Sequence, residues 1–202
     1  MKLYYKAGAC SLASHIVAQE AGLPIELEAV DLGTKKTSTG ADYTKITDKG
    51  YVPALQLDDG SILTEGTAVV QYLADRRPSG MLAPANGTIE RYQLQALLGY
   101  INSELHKSFG PLFNPATLPE VRAERLAYLT KRYGHVERLL QDNPYLTGEH
   151  FTVADAYLFT VTSWAGRVNL DLTGLPNVVA FQKRVAQRPA VVAAMRAEGL
   201  LQ

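Results

Sequence analysis

The feature that most constrains the fold of this sequence is a break between residues 78 and 87, where the hydrophobic pattern changes. Pro78-Ser79-Gly80 and Pro84-Ala85-Asn86-Gly87 are segments of the kind that form turns and linkers. Strand-like and helical patterns alternate before the break, whereas only helical patterns follow it. We therefore expect an α/β domain followed by an all-α domain. They are predicted over residues 1–78 and 87–202, joined by a linker at 79–86.

The first domain is predicted to have the order strand, helix, strand, then two strands and a helix (βαβ-ββα). Lys2–Tyr5 contains strand-forming residues, a helical pattern begins at Cys10, and Ile25–Val30 alternates apolar and charged residues. A polar connection over residues 31–50 follows, with at most a short helix inside it. Asp58-Asp59-Gly60 is a strong hairpin signal, and the last helix of the domain follows that hairpin.

Helical patterns account for almost all of the second domain. The predicted helices run from about Thr88 to Phe109, Pro119 to Gln141, Thr152 to Val168, Pro176 to Ala186 and Pro189 to Ala197. The third helix is apolar on almost every side, which predicts a position at the centre of the domain. Its first residues, Thr152-Val153-Ala154-Asp155, have the pattern of a capping box, so we interpret Asp155 as a folding residue rather than a catalytic one.

Cys10 is the only cysteine, and it lies where the first strand passes into the first helix. Unsatisfied backbone N–H groups and the positive end of the helix dipole favour an anion at that position. A thiolate is such an anion, and cysteines at helix N-termini are correspondingly reactive. The alternative is that Cys10 is a small core residue, and Ser11 offers a competing hydroxyl.

Composition argues against several classes of function. Twenty basic residues balance twenty acidic ones, so no overall charge attracts nucleic acid or an anionic membrane. No apolar run approaches the roughly 20 residues that span a bilayer. A single cysteine forbids an intrachain disulfide and suits a reducing compartment, so we expect a cytoplasmic protein. The four histidines lack metal-ligand spacing and no glycine-rich phosphate loop is present, so we expect neither a metal nor a nucleotide.

The rest of the candidate site lies at a strand edge, at a helix start and in the polar connection. A strand edge that includes Pro53 leaves the backbone groups of Val52 free to pair with an extended peptide, and a cis bond would expose them. Glu65, at a helix start, could receive an ammonium group, and the N–H groups from Gly66 onward could receive a carboxylate. Lys35 could hold a second carboxylate. The implied ligand is a small, zwitterionic peptide that bears a thiol.

Five motifs together resemble the glutathione S-transferases, and in particular the cysteine-bearing bacterial beta class. The resemblance covers the whole chain and rests on the order and spacing of the motifs. They are Tyr4 to Ser11 with Cys10, Gly50-Tyr51-Val52-Pro53-Ala54-Leu55, Leu63-Thr64-Glu65-Gly66, Ser103-Glu104-Leu105-His106-Lys107 and Phe151-Thr152-Val153-Ala154-Asp155. The resemblance implies a thioredoxin-like N-terminal domain, a helical-bundle C-terminal domain, a homodimer, and glutathione as co-substrate.

The resemblance also implies roles for the matching residues of the first domain. Cys10 would lie near the glutathione sulfur, where it can form a mixed disulfide. The Val52 backbone, before a cis Pro53, would pair with the cysteinyl part of glutathione. Glu65 and Gly66 would bind its γ-glutamyl end.

Further contacts to glutathione are implied from other parts of the chain. Lys35 would face the glycyl carboxylate. Ser103 and Glu104 would come from, or near, the partner subunit. His106 and Lys107 would approach from the helical domain.

Two positions depart from the beta class. Gly99 stands where asparagine is common, and Gly66 stands where serine is common. The first change loses an amide contact and the second loses a hydroxyl, so weaker affinity for glutathione is expected. The electrophile pocket is expected to be lined by Ala7, Ala9, Phe109, Phe113 and Trp164 or Arg167.

The predicted function is conjugation of glutathione to a small hydrophobic electrophile, with His106 and Cys10 together hydrogen-bonding or polarising the glutathione sulfur. One alternative is a glutathione-dependent thiol–disulfide oxidoreductase or reductive dehalogenase, in which Cys10 is the nucleophile. The lack of a Cys-x-x-Cys pair limits that chemistry to a monothiol route. Another alternative is a non-catalytic interaction protein that keeps the fold.

Overall fold

The computed structural model describes residues 1–77 and 82–201. The predicted domain end at Pro78 and the first linker residues, 79–81, lie outside the described residues. The chain divides into two compact units, which are described separately. Unit 1 comprises Met1–Ala83 and Gln187–Gln202, and unit 2 comprises Pro84–Ala186.

Unit 1 is built on a mixed sheet with the strand order β3-β2-β1-β4-β5. The strands are β1 (Lys2–Tyr5), β2 (Glu26–Asp31), β3 (Lys36–Thr37), β4 (Ala54–Gln56) and β5 (Ile62–Thr64). The helices α1 (Ser11–Glu20) and α2 (Gly66–Asp75) complete the predicted βαβ-ββα order of a thioredoxin-like domain. β1 and β2 run parallel because α1 connects them, and the other strand pairs are antiparallel. The two-residue β3 lies in the polar connection, which lacks the alternating pattern that predicts a strand.

The core of unit 1 forms where the helices pack against each other and where the central strands pair. Leu3 on β1 and Leu55 on β4 are register partners, and both are fully buried, as are Ile16 on α1 and Leu73 on α2. Burial of side chains of this size stabilises the fold by about 1.5–3 kcal/mol each. The last helix, α9 (Pro189–Ala197), packs against α1. It therefore groups with unit 1, whereas the sequence pattern places it in the helical domain.

Unit 2 is helical. Its helices are α3 (Ile89–Tyr100), α4 (Lys107–Phe113), α5 (Pro119–Leu139), α6 (Val153–Thr162), α7 (Ala165–Val168) and α8 (Pro176–Ala186), and Ile101–His106 forms a π-helical segment between α3 and α4. Every residue of α6 is buried, and this helix packs against α3, α8 and the π-helical segment, which confirms its predicted central position. At its start, the Asp155 carboxylate accepts a hydrogen bond from the Thr152 N–H, as the capping box predicts.

Two predicted helices of unit 2 differ from those observed. The helix predicted to end near Phe109 contains the π-helical segment and continues past Pro111 to Phe113. Proline removes one N–H but its φ suits a helix, so the last turn still forms. The helix predicted to reach Val168 is interrupted at Ser163, whose hydroxyl donates to the Thr160 carbonyl at 2.6 Å and competes with the helical pattern. Within the described ranges, no helix combines the length and apolar character needed to cross a membrane.

Candidate active site

Cys10 is the N-cap residue of α1, with φ −59° and ψ −21°, and its side chain is half-buried. The Cys10 thiol donates a hydrogen bond to the Val52 carbonyl oxygen, with Sγ 3.1 Å from that oxygen. The first turn of α1 contains no acidic residue, so no carboxylate of that turn opposes a negative charge on sulfur, while the contact with the Val52 carbonyl oxygen favours the protonated thiol. Cys10 is therefore placed at the helix start, as predicted, and it is not a core residue.

Ser11, the competing hydroxyl, has a structural role instead. Its Oγ accepts a hydrogen bond from the Lys6 N–H at 3.2 Å and lies 3.3 Å from the Lys6 carbonyl oxygen. Ser11 is fully buried. These contacts close the turn that joins β1 to α1, so the hydroxyl is used in shaping the loop that presents Cys10.

The loop that precedes Cys10 is also held by a residue from the far end of the chain. The Gly8 N–H donates to Glu198 Oε2 at 2.9 Å, and His15 Nδ1 lies 3.0 Å from Glu198 Oε1. The side chains of His15 and Glu198 are completely buried. The sequence pattern does not indicate these two residues, because nothing local connects Glu198 to a loop 190 positions earlier.

Val52 and Pro53 lie directly beside Cys10. Their peptide bond is cis, as the resemblance implies. Val52 is buried, its carbonyl accepts the Cys10 thiol, and its N–H finds no acceptor among the described residues. A Cβ added at Gly66 would lie 3.8 Å from Pro53 Cδ, which is ordinary van der Waals contact. The site therefore has space for the serine that is common at position 66.

Glu65 is the N-cap residue of α2 and has an unusual backbone conformation, with φ 68° and ψ 113°. A non-glycine residue in such a region costs on the order of 1–3 kcal/mol, and residues of this kind cluster at ligand sites. The Glu65 carboxylate is mostly exposed and lies 2.7 Å from Lys49 Nζ, which also donates to Thr64 Oγ1. The predicted ammonium-binding group thus already pairs with an ammonium group of this chain.

Lys35 also has a positive φ, of 57°. Its Nζ donates to the Gly50 carbonyl oxygen at 2.9 Å and lies over the Tyr51 ring at 5.7 Å from the centroid. The polar connection therefore brings Lys35 next to the segment that leads into Val52. Unit 1 contains six predicted ligand residues, of which Cys10 contacts Val52 directly, Lys35 contacts Gly50 two residues before Val52, and Gly66 lies near Pro53. The six residues are Cys10, Lys35, Val52, Pro53, Glu65 and Gly66.

The π-helical segment of unit 2 carries Ser103 and Glu104. The Ser103 hydroxyl donates to the Gly99 carbonyl oxygen at 3.0 Å. Glu104 Oε2 accepts a hydrogen bond from the Tyr128 hydroxyl at 2.5 Å and lies 2.7 Å from Arg132 Nε. Glu104 is therefore held by groups of its own unit. π-Helical turns are rare and occur frequently at functional sites, which agrees with the predicted roles of this segment.

His106 ends the π-helical segment and is half-buried. Its Nδ1 lies 2.6 Å from the Tyr157 hydroxyl oxygen, and the Tyr157 hydroxyl donates to Asn102 Oδ1 at 3.0 Å. Burial, and to a smaller extent the positive charge of Lys107, lowers the pKa of His106 to about 4. The imidazole is therefore neutral near pH 7. The sequence pattern does not indicate Tyr157, which lies 51 positions from His106 on another helix.

Aromatic rings surround His106 within unit 2. The Trp164 ring meets the His106 ring edge-on, with centroids 5.0 Å apart. Trp164 also contacts Phe109 and Phe113, which are themselves stacked 6.2 Å apart. Three residues predicted for electrophile binding thus form one aromatic cluster, whereas Arg167 is exposed to solvent. In the described part of the chain, no group of three or more histidine, cysteine or acidic side chains is placed to hold a metal ion.

Comparison with known proteins identifies the family. Residues 7–76 match the family model of the glutathione S-transferase N-terminal domain, and residues 100–189 match that of the C-terminal domain. Glutathione S-transferase GstA of Escherichia coli O157:H7 is 51% identical over 99% of this chain and 100% of its own length. The chain belongs to the glutathione S-transferase family. As a glutathione S-transferase it is an enzyme, as predicted.

Solved structures of bacterial glutathione S-transferases agree with this assignment. BphK, a bacterial enzyme solved as a ternary complex, is 56% identical with a TM-score of 0.97 over 99% of this chain and 100% of its own. The beta-class enzyme of Sphingomonas chungbukensis is 43% identical with a TM-score of 0.96, and a sphingomonad enzyme complexed with glutathione is 42% identical with a TM-score of 0.95. Both alignments cover 100% of each chain. The predicted resemblance to the beta class is confirmed.

Proposed function

We propose that this glutathione S-transferase conjugates glutathione to small hydrophobic electrophiles and that Cys10 takes part in the reaction. The observation that carries the proposal is the Cys10 thiol at the start of α1, 3.1 Å from the Val52 carbonyl oxygen and beside Pro53. The N–H groups at a helix start favour negative charge on a sulfur placed there. A glutathione sulfur bound beside Cys10 gains the same benefit. Oxidised glutathione bound there would exchange with the Cys10 thiolate, giving a mixed disulfide and one glutathione thiolate.

Glutathione binding is proposed along the contacts of unit 1. The Val52 N–H is available to the cysteinyl part of the ligand. The glutathione ammonium replaces Lys49 at the Glu65 carboxylate, and its neighbouring carboxylate binds the N–H groups at Gly66. The glycyl carboxylate pairs with Lys35. The positive φ of Glu65 and the glutathione complex of the sphingomonad relative support this arrangement.

A homodimer in the cytoplasm is part of the proposal. Ser103 and Glu104 are proposed to act from, or near, the partner subunit. Because Glu104 already binds Tyr128 and Arg132, an ammonium group of the ligand would share this carboxylate with them. Lys107 adds positive charge next to His106. The single cysteine suits a reducing compartment, and conjugation of hydrophobic electrophiles suits a role in detoxification.

The proposed reaction with an aryl halide proceeds by substitution. The glutathione S–H bond breaks, its proton passes to a base, and the electron pair stays on sulfur. The sulfur then bonds to the aryl carbon while halide leaves with the carbon–halogen electrons. His106 is proposed as the base and Cys10 as the group that hydrogen-bonds the sulfur. Lowering the pKa of the glutathione thiol by one unit corresponds to about 1.4 kcal/mol, so a helix start and a few hydrogen bonds are enough to lower that pKa by about one unit.

The test is the rate of glutathione conjugation to a generic aryl halide by the parent protein and by Cys10→Ala. Ser14→Ala is the matched control, since Ser14 lies on the same helix, is fully buried and its Oγ has no hydrogen-bond partner among the described residues. We expect the Cys10 variant to lose activity and the control to keep it. Full activity in Cys10→Ala would refute the role of Cys10 and transfer sulfur activation to His106 or the helix start.

A second candidate is glutathione-dependent thiol–disulfide exchange, which the half-buried, single thiol of Cys10 favours. In this step the Cys10 thiolate attacks oxidised glutathione, a Cys10–glutathione disulfide forms, and one glutathione thiolate leaves. Mass spectrometry of the protein after exposure to oxidised glutathione tests it. A parent protein that forms the adduct but conjugates no aryl halide would favour this reaction, and a parent that forms no adduct would exclude it.

A further inference from the structure

A chain of two hydrogen bonds inside unit 2 ends on His106. Asn102 and His106 both lie in the π-helical segment, and Tyr157 on α6 lies between them. The Tyr157 hydroxyl oxygen is 3.0 Å from Asn102 Oδ1 and 2.6 Å from His106 Nδ1. Tyr157 is 3% exposed, and the Tyr157 and Trp164 rings both meet the imidazole edge-on, so the orientation of the ring is fixed on two sides.

The hydrogens of this chain determine which nitrogen of His106 carries a proton. An amide oxygen can only accept, so the contact with Asn102 takes the single hydrogen of the Tyr157 hydroxyl. The hydroxyl oxygen then faces His106 Nδ1 with a lone pair, and Nδ1 must be the donor. A neutral imidazole that donates from Nδ1 has a lone pair on Nε2. The lowered pKa of His106, about 4, agrees with a neutral ring.

We propose that Tyr157 and Asn102 are positioning residues that hold His106 as the Nδ1–H tautomer, so that Nε2 accepts the thiol proton of glutathione. The proposal rests on the proposed function, in which His106 acts on the glutathione sulfur. In the step concerned, the S–H bond breaks, an Nε2–H bond forms and the electron pair stays on sulfur. The imidazolium that results is stabilised by its Nδ1–H bond to Tyr157, in the way that a third group orients the base of other nucleophilic sites.

The tautomer can be measured without any substrate. Long-range ¹⁵N–¹H NMR of the ¹⁵N-labelled full chain distinguishes the two imidazole nitrogens, and the spectrum of His106→Gln assigns the signals. Tyr157→Phe removes the hydroxyl, and Asn102→Ala removes the oxygen to which that hydroxyl donates. Asn102→Asp is the conservative variant, because it keeps an acceptor oxygen at this position. Tyr133→Phe is the matched control, because Tyr133 is fully buried in the same unit and its hydroxyl donates to Thr162 Oγ1.

We expect the Nδ1–H tautomer in the parent, in Tyr133→Phe and in Asn102→Asp, and its loss in Tyr157→Phe and Asn102→Ala. We also expect kcat for aryl halide conjugation to fall at least tenfold in Tyr157→Phe and Asn102→Ala, with little change in KM, because a general base typically contributes 10²–10⁴-fold and loss of its orientation removes part of that contribution. An Nε2–H tautomer in the parent, or an unchanged tautomer in Tyr157→Phe, would overturn the proposal. A parent that conjugates nothing would instead overturn the proposed function, since the spectrum does not depend on activity.

Discussion

Glu198 gives the sharpest test of how the loop before Cys10 is held. Its two carboxylate oxygens bind the Gly8 N–H and His15 Nδ1, at 2.9 and 3.0 Å, and the side chain is completely buried. Glu198→Ala removes this acceptor from both donors. A buried donor that loses its acceptor costs about 1–3 kcal/mol, and Glu198→Ala leaves two such donors. We therefore expect Glu198→Ala to lower the free energy of unfolding by about 2–6 kcal/mol.

Glu198→Gln should have an intermediate effect. The amide oxygen can still accept from the Gly8 N–H, but the amide NH₂ would face His15 Nδ1. His15 would then have to donate from Nε2, which is buried and has no partner among the described residues. One unsatisfied donor corresponds to about 1–3 kcal/mol. The ranking from most to least stable is thus the parent, the Gln variant and the Ala variant.

The measurement is urea denaturation followed by far-UV circular dichroism at neutral pH. Glu124→Ala serves as a control, because Glu124 is exposed on α5 and surface substitutions of this kind change stability by no more than about 0.5 kcal/mol. Aryl halide conjugation should also fall in Glu198→Ala under conditions in which the variant is folded, since Gly8 lies two residues before Cys10. An Ala variant as stable as Glu124→Ala would refute the reasoning.

Two further predictions concern unit 2. Asp155→Ala should lower the free energy of unfolding by roughly 3–5 kcal/mol in urea denaturation, because the Asp155 carboxylate accepts hydrogen bonds from the buried N–H groups of Leu146 and Thr152. Thr152→Ala keeps both N–H groups, so it should lower the free energy of unfolding by only about 1 kcal/mol. Equal losses in the two variants would contradict this account. The pKa of His106 is about 4 in the folded protein and near 6.5 in the unfolded chain, so the unfolded state binds more protons between these two pH values. The stability of the parent relative to His106→Phe, measured by urea denaturation at each pH, should therefore fall by up to roughly 3 kcal/mol from pH 7 to pH 4. A difference that does not change with pH would contradict the burial of a neutral imidazole.

The sequence predicts those elements of the fold that local chemistry determines. Helices α8 and α9 begin at Pro176 and Pro189, as predicted, because proline suits the first helical position. The hairpin after β4 forms where Asp58-Asp59-Gly60 predicts it, and Gly60 adopts a positive φ of 85°. Each of these signals depends on a few adjacent residues. These helix starts and this hairpin can therefore be predicted without knowledge of any distant contact.

The sequence pattern does not reveal the wider helical turn of unit 2 or the contacts that reach the candidate site from distant positions. The π-helical segment has an ordinary helical pattern in sequence, and its wider turn becomes visible only in the structure. The same holds for Glu198, which reaches Gly8 across the chain, and for Tyr157, which reaches His106 from another helix. The motifs indicate the candidate residues themselves. Periodicity and motif spacing do not indicate which other side chains contact those residues and orient them.

The pKa of His106 limits the form that its chemistry can take. A thiol with an ordinary pKa near 8.5 that transfers its proton to a group with a pKa of about 4 pays roughly 6 kcal/mol, which corresponds to 4.5 units at 1.36 kcal/mol each. The helix dipole at the start of α1 stabilises the sulfur anion by about 0.3–2 kcal/mol, which offsets only part of this cost. A resting imidazolium–thiolate pair is therefore disfavoured. His106 is better suited to receive the proton while the sulfur–carbon bond forms, when charge leaves the sulfur for the electrophile, and this is general-base catalysis. Such a base must present a lone pair toward the sulfur before the reaction begins, which is the condition that Tyr157 and Asn102 are proposed to maintain.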